Sequence, residues 1–297
     1  MVELPPRPDW LHRVAVLGVG LLGGSIGQSL RRLGVQSIGY SRSQRGCEQA
    51  LQWKGVDRAT NDLEAACRGS QVVVIATPVT HISKLAAAAA PFLDDDAIVT
   101  DVGSTKATIL GEVQTQASSI ADRFIAAHPI AGSEKTGCEF SSETLFDDRA
   151  VVLTPHAGND VAVVDRATQF WHATGGKVVT MTAAEHDRRL AAVSHVPHLV
   201  ASALAMFPDQ ESKPLVGSGW TDMTRVAAGD PEMWTAICSH NQGAILHELD
   251  RFIRDMVSLR RRIANHNETM TDPASDHASL ESWLAQAKLR KDTNGEW

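Results

Sequence analysis

The sequence predicts an α/β fold, with a doubly wound sheet domain over residues 1–181 followed by an all-helical domain over residues 182–297. Three observations carry this expectation. Short β-rich runs alternate with helix-like stretches through the first half of the chain, the pattern of strands joined by crossover helices. The runs Val14-Ala15-Val16-Leu17 and Val72-Val73-Val74-Ile75-Ala76 are apolar without interruption. A strand covered on both faces requires that, so a parallel sheet is expected. Beyond Met181 no convincing strand follows as far as Ile263.

Taken in order, the expected strands are Arg13–Leu17, Ser37–Tyr40, Val72–Ala76, Ala97–Asp101, Phe124–Ala127, Val151–Thr154 and Val178–Met181. Helices are expected between them, among others at Ser25–Leu33, Gln44–Trp53 and His81–Ala90. In the helical half, Thr182 with Glu185 three residues on has the spacing of a capping box. The helix it opens is expected to run to Met206, kinked or restarted at Pro197. Asp230 followed by Pro231 marks a second start, because a Pro at the first helical position removes a donor that has no partner anyway. That helix is expected to reach about Arg262. Helices of this length need a partner for their apolar faces, so a homodimer is expected. Asn265–Ser279 reads as a polar linker and Leu280–Arg290 as a terminal helix.

Composition narrows the function classes. Hydrophobic residues make up 43% of the chain and charged residues 21%, enough apolar material for a full core. A formal charge of −7 disfavours nucleic acid or an anionic membrane surface as partner. The cysteines Cys47, Cys67, Cys138 and Cys238 have the spacing of neither a zinc site nor a disulfide framework, so no metal is expected. With no apolar leader and no membrane-length apolar run, the protein is expected to be cytoplasmic.

The segment Gly18-Val19-Gly20-Leu21-Leu22-Gly23 places G-x-G-x-x-G directly after the first apolar strand and before a helical pattern. Gly18 permits a tight turn, Gly20 lets backbone approach a pyrophosphate, and Gly23 allows helix and strand to pack closely. A nicotinamide dinucleotide is the expected cofactor, its phosphates at the helix N-terminus beside Leu21 and Leu22. At the end of the second strand, where NAD enzymes usually carry an acid for the ribose hydroxyls, the chain has Ser41 and then Arg42. That pair favours NADP over NAD. Thr77 and Pro78 directly follow the third expected strand, on the side where cofactors lie in such sheets, and are candidate floor residues.

Two more loops leave strand ends, Asp101-Val102-Gly103-Ser104-Thr105-Lys106 and His128-Pro129-Ile130-Ala131-Gly132-Ser133-Glu134-Lys135-Thr136-Gly137. Asp101 is counted with the cofactor-binding candidates. His128 is the better candidate for chemistry, since imidazole accepts a proton near neutral pH.

Together with the glycine turn, these loops resemble those of the prephenate/arogenate dehydrogenases of tyrosine biosynthesis. The resemblance continues through Glu185-His186-Asp187, Ser194-His195-Val196-Pro197-His198, Gly219–Ala227 and Gly229–Trp234, spanning roughly Arg13 to Asp255. It implies a Rossmann-like domain followed by a helical substrate and dimerisation domain. The implied reaction is NAD(P)-dependent oxidative decarboxylation of prephenate to 4-hydroxyphenylpyruvate, or of arogenate to tyrosine. By the same resemblance, His128 is the base, and Ser104 hydrogen-bonds the same substrate hydroxyl or holds the imidazole. Arg225 binds a substrate carboxylate, and His186, His195, His198, Ser133, Glu134 and Trp234 surround the substrate. Two other readings stay open at this point, a β-hydroxyacid dehydrogenase and an NADP-binding redox sensor. The first typically calls for a Lys or Asp on the interdomain helix, where this chain has histidines; the second has no need of His128, Ser104 and Arg225 together.

Overall fold

The computed structural model describes residues 7–132, 135–264 and 279–293, and divides into two compact units, Met1–Ile245 and Leu246–Trp297. The first unit holds an eight-stranded sheet: β1 (Arg13–Leu17), β2 (Gln36–Tyr40), β3 (Arg58–Thr60), β4 (Val72–Ile75), β5 (Ile98–Asp101), β6 (Phe124–Pro129), β7 (Ala150–Thr154) and β8 (Lys177–Thr180). Its order is β3-β2-β1-β4-β5-β6-β7-β8. The first six strands are parallel, and the order reverses direction between β1 and β4. Such a switch point opens a crevice at the carboxyl ends of the strands, where doubly wound sheets bind ligands. β7 runs antiparallel to β6, and β8 is parallel to β7.

Burial explains the uninterrupted apolar runs. Val14, Val16, Val72 and Val74 belong to the core on one face of the sheet, while Ala15, Leu17, Val73 and Ile75 belong to the core on the other. Each buried aliphatic side chain contributes about 1.5–3 kcal/mol, so both helical layers are held by the same two central strands. The helices are α1 (Leu21–Arg31), α2 (Gln44–Gln52), α3 (Leu63–Cys67), α4 (Val79–Ala89), α5 (Ala107–Gln116) and α6 (Val161–Ala173).

After β8 the chain is helical: α7 (Ala183–Leu190), α8 (Val196–Met206), α9 (Ser218–Thr224), α10 (Pro231–His240), α11 (Gln242–Ala264) and α12 (Leu280–Asp292). Thr182 caps α7 by accepting from the Glu185 N–H at 3.2 Å, and Asp230 caps α10 by accepting from the Met233 N–H at 2.8 Å. The expected helix from Thr182 to Met206 is interrupted by a π-helical turn over Ala191–His195. Pro197 has no N–H to offer the turn before it, so the irregularity falls one turn earlier than the proline itself. The expected helix from Asp230 breaks at Asn241, whose backbone (φ −117, ψ 29) leaves helical values. Within the second unit, α11 exposes Leu246, Phe252, Ile253, Met256, Val257 and Ile263. The expected linker lies almost wholly outside the described residues. No helix among the described residues is long and apolar enough to cross a membrane.

Candidate active site

The glycine turn is built as a cradle for phosphate. Gly18 has φ +100, and a Cβ there would lie 2.6 Å from the Ala76 carbonyl oxygen. A Cβ on Gly23 would lie 2.0 Å from the Gly18 carbonyl oxygen, so only glycine lets α1 sit this close to the end of β1. Gly20 caps α1 with no side-chain hydrogen bond, and a Cβ there would meet nothing within 4 Å. The first-turn N–H groups at Leu21 and Leu22 thus face no capping side chain, the condition under which a helix N-terminus binds an anion. Beside the turn, the Thr77 hydroxyl is buried without a hydrogen-bond partner, and Pro78 is the N-cap of α4. An orphaned buried hydroxyl beside an open phosphate cradle fits a dinucleotide there. Gly23→Ala is therefore expected to abolish dinucleotide binding, read as loss of quenching of tryptophan fluorescence by NAD or NADP. Ser41 leaves β2 half-buried, its N–H donating to the Thr60 carbonyl at 3.1 Å, and Arg42 follows it exposed.

The chemistry centres on His128 near the end of β6. Its Nδ1 lies 2.8 Å from Nε2 of His186 on α7, and Nδ1 of His186 lies 2.8 Å from Oδ1 of Asp187. The carboxylate of Asp187 fixes the protons along this chain. A carboxylate accepts, so His186 carries its proton on Nδ1 and accepts at Nε2. His128 must then donate from Nδ1, which leaves the lone pair on its Nε2. Asp187 is anchored in turn at the N-terminus of α5, accepting from the Lys106 N–H at 2.8 Å and the Ala107 N–H at 2.9 Å. A carboxylate at that end of a helix is further favoured by the helix dipole.

His128 keeps partial exposure, yet burial of the imidazole, followed by the neighbouring His186, Lys106 and His195, holds its pKa well below 6.5. The neutral, proton-accepting form therefore persists into weakly acid solution. Burial likewise pushes His195 down to about 4, despite the opposing charge of Asp187. Both groups titrate near 6.5 in an unfolded chain. As pH falls below that value, the unfolded chain takes up protons that the folded protein resists, so stability drops steadily toward pH 4. A melting temperature that stays constant between pH 7 and pH 4 would contradict this.

Several expected site residues are placed differently from the expectation. His186, expected against substrate, is fully buried at 0% exposure and instead links His128 to Asp187. Asp101, expected at the cofactor, is also at 0% and uses both oxygens within the protein, on the N–H groups of Gly103 and Ala127 and on Lys106. His195 and His198 share a face, as their spacing requires, and both meet Trp234. The His198 ring stacks on Trp234 with centroids 3.5 Å apart at 9°, and the His195 ring meets it edge-on at 6.1 Å. His195 is turned inward, its Nδ1 3.1 Å from Asn241 Nδ2, which also donates to the Asp187 carbonyl at 2.8 Å. The Val226 backbone, in the 3-10 turn Arg225–Ala228, lies near His198. Arg225 itself is exposed, and Ser104 is half-buried in the loop between β5 and α5. Ser133 and Glu134 lie outside the described residues. Asp187, Lys106 and Asn241 had no role assigned from the sequence. The one available hint was adjacency, Asp187 beside His186 and Lys106 five residues after Asp101.

Comparison with known proteins gives consistent relatives along most of the chain. Residues 26–180 match the family model described as prephenate dehydrogenase, nucleotide-binding domain, and residues 182–274 match prephenate dehydrogenase, dimerization domain. A cyclohexadienyl dehydrogenase of Zymomonas mobilis is 32% identical over 263 residues, covering 86% of this chain and 89% of the relative. A prephenate dehydrogenase of Bacillus subtilis is 31% identical, covering 83% of this chain and 69% of the relative. The crystal structure of A. aeolicus prephenate dehydrogenase with hydroxyphenyl propionate and NAD+ superimposes with a TM-score of 0.84 at 29% identity, covering 95% and 97% of the two chains. For Synechocystis arogenate dehydrogenase the TM-score is 0.79 at 30% identity, with 95% and 99% covered.

Proposed function

Because the chain belongs to the prephenate dehydrogenase family and is an NAD(P)-dependent oxidoreductase, we propose that its substrate is prephenate and that His128 is the base of the reaction. The observation that carries this reading is the chain Asp187–His186–His128, which leaves one basic nitrogen, Nε2 of His128, outside the relay. A nicotinamide held at the glycine turn would supply the hydride acceptor for the ring carbon that bears the hydroxyl. His128 Nε2 takes the hydroxyl proton as the carbonyl forms, and the ring carboxylate leaves as carbon dioxide. Loss of carbon dioxide makes the ring aromatic, giving 4-hydroxyphenylpyruvate. A proton gained at Nε2 makes His128 an imidazolium, which the relay stabilises through the carboxylate of Asp187, as the acid partner does in other base–orienter pairs.

Ser104, on the loop after β5, assists at the same hydroxyl. Arg225 binds a substrate carboxylate, its planar guanidinium matching the two oxygens. Trp234 and His198 pack beside the turn that carries it, and the family resemblance alone assigns Ser133 and Glu134 to the substrate. Carbon dioxide and reduced cofactor should appear in a one-to-one ratio from carboxyl-labelled prephenate. Reduced cofactor without labelled carbon dioxide would sink the decarboxylation and leave a plain alcohol oxidation.

Arogenate is the second reading, favoured by the similarity to the Synechocystis arogenate dehydrogenase. NADP is the preferred cofactor, since Ser41 and Arg42 stand where a carboxylate would repel a 2′-phosphate. Ser41→Asp is expected to shift the ratio of kcat/KM values toward NAD by about tenfold or more, the scale of one charge-assisted hydrogen bond gained and one lost. An unchanged ratio would remove Ser41 and Arg42 as readers of the phosphate. The exposed apolar face of α11 supports a homodimer, consistent with the dimerization-domain match.

A further inference from the structure

A fully buried ion pair stands behind the base. Lys106 Nζ lies 2.5 Å from Asp101 Oδ2, and both side chains are at 0% exposure. The pair sits where the sheet comes apart. β5 and β6 pair only at Val99 with Phe124 and Thr100 with Ile125. Beyond that point Asp101 and Lys106 take the place of the missing ladder. Asp101 Oδ1 accepts from the Ala127 N–H at 2.9 Å, and Lys106 Nζ donates to the Ala127 carbonyl at 2.7 Å. Both backbone polar groups of the residue before His128 are thus held by one ion pair. Gly103 closes the loop over it, donating to Asp101 Oδ2 at 2.8 Å.

The same loop reaches the other end of the relay. The Lys106 and Ala107 N–H groups bind Asp187, as described above. Residues Asp101 to Ala107 therefore fix both His128, through Ala127, and the carboxylate that sets its tautomer. A buried ion pair is poor value as a source of stability, since an apolar pair of similar size often does as well. Its geometry here matches a different use.

We propose that Lys106 and Asp101 are positioning residues for His128, clamping the Ala127 backbone so that Nδ1 stays in line with His186 and Nε2 stays aimed at the substrate. The proposal rests on His128 being the base. It adds a second effect, because the Lys106 cation opposes any positive charge on the imidazole, after burial itself and His186.

The test compares the full-length wild type with Lys106→Met, Lys106→Met/Asp101→Asn and His128→Asn. In Lys106→Met, kcat is expected to fall by about tenfold to a hundredfold, the range for a misplaced reacting group, with KM for prephenate and cofactor within about twofold. The acid limb of kcat/KM moves to higher pH, because the repelling cation is gone. A folded Lys106→Met with an unmoved limb overturns the proposal. If that variant does not fold, the double variant carries the test, since it leaves no unpaired buried charge. There 15N NMR of labelled histidine is expected to show His128 as a mixture of tautomers, against a single Nδ1–H form in the wild type. A single tautomer with wild-type kcat overturns the proposal, as does failure of both variants to fold, which would make the pair a fold determinant alone. His128→Asn separates the two readings. Full turnover in His128→Asn removes the base itself, whereas lost turnover there with Lys106→Met unaffected removes only the clamp.

Discussion

His128→Asn is expected to lower kcat by a factor of about 10²–10⁴ while leaving KM for prephenate within about twofold. Asn is the informative replacement because its amide can still donate to Nε2 of His186, so the relay keeps a partner and no buried acceptor is orphaned. What it lacks is basicity, since an amide oxygen does not hold a proton near neutral pH. The loss should therefore fall on the chemical step, with cofactor binding at the glycine turn untouched. The pH profile adds a second check. In the wild type, kcat/KM stays flat as pH falls through 6.5, because burial keeps His128 neutral, and declines only below that. In the variant that decline disappears. Stopped-flow measurement of the first turnover distinguishes slow chemistry from slow product release. Unchanged turnover would mean that another group, or water, takes the hydroxyl proton.

Arg225→Ala is expected to have its effect on the other constant. A charged hydrogen bond contributes about 1.5–3 kcal/mol, so KM for prephenate should rise by about 10-fold to 150-fold with kcat changed little. Lys in the same place should recover only part of this, because an ammonium cannot present two parallel donors to a carboxylate. The turn Arg225–Ala228 ends at Gly229, which packs against Trp234 and His198, and these two rings are stacked on each other. Trp234→Ala should therefore raise KM in the same direction by loosening that turn. If Arg225→Ala left KM unchanged and lowered kcat alone, the substrate carboxylate would be bound elsewhere.

The sheet was legible because its cause is local. Unbroken apolar runs at Val14–Leu17 and Val72–Ile75 can only be covered on both faces, and the glycine turn follows the first of them. The caps at Thr182 and Asp230 were legible for the same reason, since a cap is decided within four residues. β3, three residues long, carries too little pattern to be seen. The antiparallel direction of β7 depends on how the chain returns to the sheet, which no window of sequence contains. The break at Asn241 was missed because its cause is a side chain bonded to Asp187 and His195, 54 and 46 residues away.

The site follows the same division. His128 stood out as an imidazole at a strand end beside a glycine-containing loop. The relay behind it did not, because His186 and Asp187 join it from a helix 58 residues further on. On the sequence His186 and Asp101 look like any polar residues near a cleft. In the fold both side chains are at 0% exposure and hydrogen-bonded to protein groups, a burial that no local window of sequence records.

The measurement that most directly tests the assignment is absorbance at 340 nm with purified protein, prephenate or arogenate being set against NAD or NADP. The strongest signal is expected with prephenate and NADP, and that signal should vanish in His128→Asn. Silence in all four combinations, with NADP still bound, would contradict the assignment of substrate and base together.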